Sequence, residues 1–175
     1  MRNLLLVFTA CSAAVFGQAA GGDNPLSAGN KTLFGIAKNN LVRAAEKMPE
    51  ENYAFKPTDE VRSFGQLVGH VADANRTFCS AVLGDKPSET SVEKTKTSKA
   101  DLVAAIKDSM SYCDKAYDGL TDATASEKVT FFGSERAKLA ILEFNNMHDY
   151  EHYGNMVTYM RLKNIVPPSS EPKKK

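Results

Sequence analysis

Four long stretches of this chain repeat apolar residues at the 3.6-residue spacing of a helix, and no comparably long stretch alternates as a strand would. The first, 26–48, places Leu33, Phe34, Ala37, Leu41, Ala44, Ala45 and Met48 on one side. The second follows a loop rich in acidic residues and proline; Thr58 is its expected cap, and it runs to 83 through Val61, Phe64, Leu67, Val68, Val71, Ala74, Phe78 and Val82. The third, 98–120, starts at a capping Ser98 and turns Leu102, Val103, Ile106, Met110, Cys113, Tyr117 and Leu120 inward. The fourth runs over 134–163, and Pro167 and Pro168 bar its continuation. Such a pattern predicts an all-α chain, an antiparallel or mixed four-helix bundle. The polar stretch 84–97 joins the second and third helices, and 14 extended residues at about 3.3 Å each cover ~45 Å, enough to cross a bundle end to end. VTFF and Gly133, in the loop before the fourth helix, can be extended. The final residues, 166–175, read as a disordered tail.

The N-terminus carries the marks of a secretory signal: Arg2, then an apolar run that continues with small residues to Phe16. Residues 1–17 form the expected signal, with cleavage after Gly17 or after Ala19. The protein is therefore expected outside the cytoplasm, periplasmic or extracellular, with no membrane span once the signal is removed. A formal net charge of +1 without a basic stripe argues against a nucleic-acid partner and leaves a small molecule as the expected ligand. A homodimer would be ordinary for a small bundle. Export also changes the meaning of cysteine. Cys11 leaves with the signal, and Cys79 and Cys113 remain as an even pair in an oxidising compartment.

Chemistry concentrates in the three histidines. His148 and His152, in the string HDYEH, are four residues apart, so a helix puts them on one face with Cβ atoms about 5–6 Å apart. The stripe they share holds Ala137, Ile141, Phe144, Asn155, Tyr159 and Leu162. Two imidazoles on an otherwise apolar face need partners, and a metal satisfies both at once. The plainer account is a pair of hydrogen-bonded core histidines. His70 sits at the edge of the second helix's apolar arc, suited to a seam or to solvent. HDYEH also fits H-x-x-E-H, but that peptidase chemistry needs an acidic ligand downstream. Only Glu171, in the tail, follows His152, so the peptidase reading fails. Asn145 and Asn155 flank the pair as candidate supporting groups, and Gln66 and Asp73 lie a turn either side of His70. Glu151 and Asp73 are the candidates for acid–base work, and Tyr53 for lining a pocket. Each of these has a surface or packing role as its commoner explanation. Cys79 lies nine residues from His70, about 13.5 Å along a helix axis, too far to share an ion with it.

The segment NYAFKPTDEVRSFGQLVGHVADANR, the long crossover and the last-helix HDYEHYG together resemble the DinB-like family, over about residues 26–165. The resemblance implies a four-helix bundle in up-down-down-up order with the long crossover between helices 2 and 3. It also implies one divalent metal held by His70, His148 and His152. Three nitrogen ligands suit Zn or Ni first, with Fe and Mn as further choices. Several family members are thiol-dependent transferases or isomerases. An open three-histidine site is equally the pattern of a metal-dependent hydrolase. The alternative is a non-enzymatic metal- or ligand-binding module of the cell envelope. If helices 2 and 3 run parallel, as the resemblance implies, Cys79 and Cys113 lie at similar depth and can form a disulfide. Otherwise they are two buried thiols.

Overall fold

The computed structural model describes residues 23–172, so the signal expected over 1–17 and Cys11 lie outside the described residues. Within them the elements are α1 (Pro25–Lys47), α2 (Phe64–Leu83), α3 (Val92–Thr95), α4 (Lys99–Gly119), β1 (Lys128–Phe131), β2 (Ser134–Ala137) and α5 (Lys138–Leu162). Single 3-10 turns cover Glu50–Asn52 and Pro168–Ser170. The chain is mostly helical, and α1, α2, α4 and α5 enclose one core in which Phe34, Leu41, Phe64, Val68, Leu102, Ile106, Met110, Leu142 and Met156 are buried. No described helix is long and apolar enough to cross a membrane.

The second helix starts later than the sequence suggests. Ser63, not Thr58, is the cap: its hydroxyl accepts from Gln66 N while the Gln66 side chain accepts from Ser63 N, a reciprocal capping box. The next two backbone donors of α2 go to the preceding loop, Phe64 N to Phe55 O (2.9 Å) and Gly65 N to Tyr53 O (2.8 Å). Val61, assigned to the helix's apolar arc, is exposed in that loop. Gly84, left-handed at φ 77°, ends α2 where expected. Ser98 caps α4 as read, its hydroxyl accepting from Asp101 N.

Two boundaries differ more. Residues 134–137, assigned to the fourth helix, are instead the second strand of a hairpin. Phe132 and Gly133 both take positive φ at its turn, 48° and 74°, as a tight two-residue hairpin loop requires. The loop ahead of the hairpin then satisfies the start of α5, Glu127 O accepting from Lys138 N and Ala125 O from Leu139 N. Residues 166–172, expected to be disordered, fold back onto the bundle. There Glu171 pairs with Arg43 and with Lys47, and Tyr153 Oη donates to Ser169 Oγ at 2.8 Å. These partners lie in α1 and α5, far away in sequence, which is why composition alone hides them.

Cross-helix pairs fix which helices meet. Along α1 and α4, Lys31 meets Asp118, Lys38 meets Asp114 and Glu46 meets Lys107. Along α1 and α5, Asn146 donates to Asn30 and Tyr150 to the carbonyl of Leu33. Along α2 and α4, Arg76 meets Asp108 and Cys79 is bonded to Cys113, with Cα atoms 5.3 Å apart. Along α2 and α5, Asn75 donates to Asp149 and Phe78 packs on Phe144.

The inward face of α5 is more polar than its stripe predicts. Phe144 and Leu162 are 45% and 56% exposed, whereas Asn145, Asn146 and Asp149 are buried. These three join Asn30, Asn75 and Tyr117 in a hydrogen-bonded network across α1, α2, α4 and α5. The helix thus turns a mixed face to the core, and tertiary partners satisfy most of its amide groups, with Asn145 Oδ1 and Asn30 Nδ2 left buried without a partner.

Candidate metal centre

One histidine from α2 and two from α5 meet in the seam between those helices. His70 Nε2 lies 3.1 Å from His148 Nε2, and His152 Nε2 lies 3.1 Å from the same atom. The i, i+4 spacing brings the two α5 rings together, and the packing of α2 on α5 brings the third. Phe78 shields one side, its ring centroid 5.7 Å from that of His148. Among the described residues these are the histidine, cysteine and carboxylate groups clustered tightly enough to share an ion.

Hydrogen bonding alone accounts poorly for the cluster. An imidazole nitrogen carries either one in-plane proton or one lone pair, so His148 Nε2 cannot serve two well-aligned partners. His148 Nδ1 is buried without a partner, so no hydrogen bond fixes its tautomer. Two nitrogens bound to one zinc at about 2.0–2.1 Å in tetrahedral geometry stand about 3.3 Å apart, close to the spacing seen here. Burial first, then the neighbouring His152 and His70, push the His148 pKa down to about 3. Burial, then His70, also lowers that of His152. Both rings are therefore neutral near pH 7, the form that binds metal. The donor set, its spacing and its protonation all fit a divalent ion.

The outer sides of the rings differ. His70 Nδ1 is 3.2 Å from the Glu93 carboxylate of α3, while His152 Nδ1 has only a 3.5 Å contact from Asn155 Nδ2. The other Glu93 oxygen accepts from Arg62 Nε at 2.8 Å. Arg62 stands close enough to His148 and His152 to disfavour their protonation.

Most of the proposed supporting residues have other work. Asp73, offered as a catalytic carboxylate, accepts from Ser91 Oγ, Val92 N and Glu93 N and so anchors α3. Gln66 belongs to the capping box, Asn145 to the polar core, and Tyr53 Oη donates to Ala45 O. Tyr53 and Gln66 do line a cavity of about 730 Å³ with Lys56, Glu93 and Lys94, but none of the three histidines lines it. Glu151 is exposed, and its charge favours the protonated form of His152. Asn155 is the one of these candidates that touches a ring of the cluster.

Sequence reasoning missed Glu93 and Arg62, because 84–97 reads only as a polar span. Two signals were present. Ser91 followed by Val-Glu-Lys is a helix start, and Gly65 and Gly69, one turn apart on α2, mark a face that another backbone approaches closely.

The pattern of the DinB superfamily matches residues 33–156. The chain belongs to that superfamily. The protein YjoA of Bacillus subtilis (strain 168) is 25% identical over 132 residues, covering 71% of this chain and 82% of YjoA. A DinB-like protein from Bacillus cereus ATCC 10987 superposes with a TM-score of 0.71 at 17% identity, over 81% of this chain and 95% of that one. A mycothiol-dependent maleylpyruvate isomerase superposes at 0.59 with 15% identity, over 74% of this chain and 60% of the isomerase. At these identities the structural likenesses establish the DinB-like fold.

Proposed function

We propose that His70, His148 and His152 hold one divalent metal through their Nε2 atoms, and that this exported DinB-like protein acts there on a small molecule. The observation that carries the reading is the convergence of three imidazole nitrogens with no adequate hydrogen-bond account. Three ligands leave a position for water or substrate, as catalytic sites do. A divalent ion bound there would supply Lewis acidity and lower the pKa of a bound water or thiol. The chain's own residues do the rest. Burial keeps His148 and His152 unprotonated, Phe78 limits water on one side, and Arg62 places positive charge beside the cluster. Two reactions suit this arrangement: hydrolysis and transfer to a thiol. The structurally similar isomerase is named for its thiol, mycothiol. Zn or Ni is the first choice of metal, then Fe or Mn.

The helix order up-down-down-up belongs to the same reading. Residue numbers rise together along α2–α4 and along α1–α5, and run oppositely along α1–α4 and along α2–α5, where His70 meets His152, Asn75 meets Asn145 and Phe78 meets Phe144. A Cys79–Cys113 bond agrees with export to an oxidising compartment.

Elemental analysis of untagged protein beside a His148→Ala/His152→Ala variant tests the centre. About one equivalent of divalent metal, lost in the variant, is the expected result, and it directs a screen of hydrolase and thiol-transfer substrates. Absence of metal in both, with none taken up on reconstitution, defeats the reading.

A further inference from the structure

The crossover between α2 and α4 needs only to span the bundle, and a floppy polar chain would do that. Here it is pinned to α2 beside His70. The Asp73 carboxylate receives Val92 N at 2.7 Å, Glu93 N at 3.1 Å and Ser91 Oγ at 2.7 Å. Gly69 supplies the other contact: a Cβ there would stand 2.7 Å from Glu93 Cα and 2.9 Å from Glu93 N, closer than real Cβ atoms come to backbone. Gly69 and Asp73 bracket His70 on α2, so the docked turn sets Glu93 at the Nδ1 edge of that ring. Its two oxygens are both engaged, one by His70 Nδ1 at 3.2 Å and one by Arg62 Nε at 2.8 Å. The Glu93 and His70 side chains are only 22% and 24% exposed.

We propose that Glu93 is the positioning residue of the histidine centre: delivered by the pinned crossover, it holds His70 as the Nδ1–H tautomer with its Nε2 lone pair aimed at His148 and His152. The inference rests on the metal reading for its use, but its geometry stands without it. A carboxylate only accepts, so the proton between the two groups belongs to Nδ1, and Nε2 is left with its lone pair. The same contact fixes the ring's rotation and makes the ring a better donor. Among the described residues neither His148 nor His152 has such a carboxylate, so His70 is the ligand whose state the fold sets in advance. Linkage makes the effect reciprocal. Whatever Glu93 adds to metal affinity returns as stability of the docked crossover, so metal should protect Lys94 and Lys96 from trypsin.

Two measurements test this on the full chain. Long-range proton–nitrogen NMR of the metal-free protein, labelled at histidine, reads the tautomer, with His70→Gln giving the assignment. Zinc affinity is read by chelator competition. The wild type should show His70 as Nδ1–H. Glu93→Ala should shift it toward Nε2–H and weaken zinc binding about 10–100-fold. Glu93→Gln, which keeps an accepting oxygen, should recover part of both. Asp73→Asn, which frees the crossover and leaves every ligand intact, should weaken zinc binding in the same direction. Glu93 lies on a one-turn helix outside the core, so its variants should melt cooperatively. An Nε2–H His70 in the wild type overturns the proposal, as does a Glu93→Ala variant that binds zinc as tightly as wild type. If the wild type binds no zinc, the metal reading fails, and the tautomer measurement still decides the role of Glu93.

Discussion

His148 and Asp149 are neighbours in sequence that pull stability in opposite directions with pH. His148 is held down at about pKa 3, chiefly by burial, against 6.5 for a free ring. Below about 6.5 the unfolded chain takes a proton that the folded ring refuses, so acid destabilises the metal-free protein through this residue. Asp149 is buried with Oδ2 unpartnered, and burial raises its pKa from 3.8 to about 7. The folded carboxyl keeps a proton that the unfolded chain has lost, so this residue weakens the fold as pH rises from about 4 through 7. Asp149→Asn removes the second effect alone. The metal-free variant should melt several degrees above the wild type at pH 8, and the gap should narrow at pH 5. A gap of equal size at both values would show that Asp149 ionises normally in the fold. The imidazoles stood out in the sequence because an i, i+4 pair on an apolar stripe is rare enough to ask for a partner. Asp149 did not, since one acidic residue in HDYEH looks the same in sequence whether it faces water or Asn75. Glu93 was hidden for the converse reason: it is an ordinary carboxylate in a polar stretch until Gly69 lets the backbone come close.

At the level of elements, the disulfide and the crossover tie the same two helices in different ways. Cys79 and Cys113 are buried in the facing surfaces of α2 and α4, 34 residues apart in sequence. Closing a loop of that size removes unfolded-state entropy equivalent to about 4 kcal/mol on the chain-entropy model. Replacing both by alanine should therefore cost about 2–4 kcal/mol in denaturant titrations, with stoichiometric metal uptake retained because His70 lies more than two turns away. Loss of metal together with stability would mean that the α2–α4 bond sets the α2–α5 seam, contrary to the separation of the two contacts seen here. α1, α2 and α4 were readable because each keeps its apolar period over five or more turns, whereas α5 was readable mainly by its length and its stop at Pro167, its core face being part polar. The hairpin at 128–137 was only half readable. Its turn needs two positive φ values at Phe132 and Gly133, and phenylalanine gives no hint of that conformation. The start of α2 was misplaced because the carbonyls of Tyr53 and Phe55, which receive its first donors, come from a loop whose path is a tertiary fact.

For the whole molecule, the question is how far the centre and the fold depend on each other. The three ligands come from two helices far apart in sequence, so the site exists only in the folded chain, and an ion that binds it must stabilise the fold. The size of the effect follows from mass action. At a free metal concentration a hundred times the dissociation constant, the gain is about 2.7 kcal/mol, reduced by any binding to the unfolded chain. For a chain of this length that corresponds to a rise in melting temperature of about 5–10 °C. Zinc added to chelator-treated protein should give a shift of that order, reversed by excess chelator, and the His148→Ala/His152→Ala variant should give none. The disulfide sharpens the comparison, because it is covalent and indifferent to chelator. The Cys79→Ala/Cys113→Ala protein should begin from a lower melting temperature and rise by a similar amount. A zinc shift that survives loss of both α5 histidines would place the ion elsewhere on the surface. No shift in the intact protein, at zinc concentrations well above any reasonable dissociation constant, would leave the three rings as a polar seam of the core. The Nδ1 of His148, unpartnered with or without an ion, would then be a cost that no metal bond at Nε2 offsets.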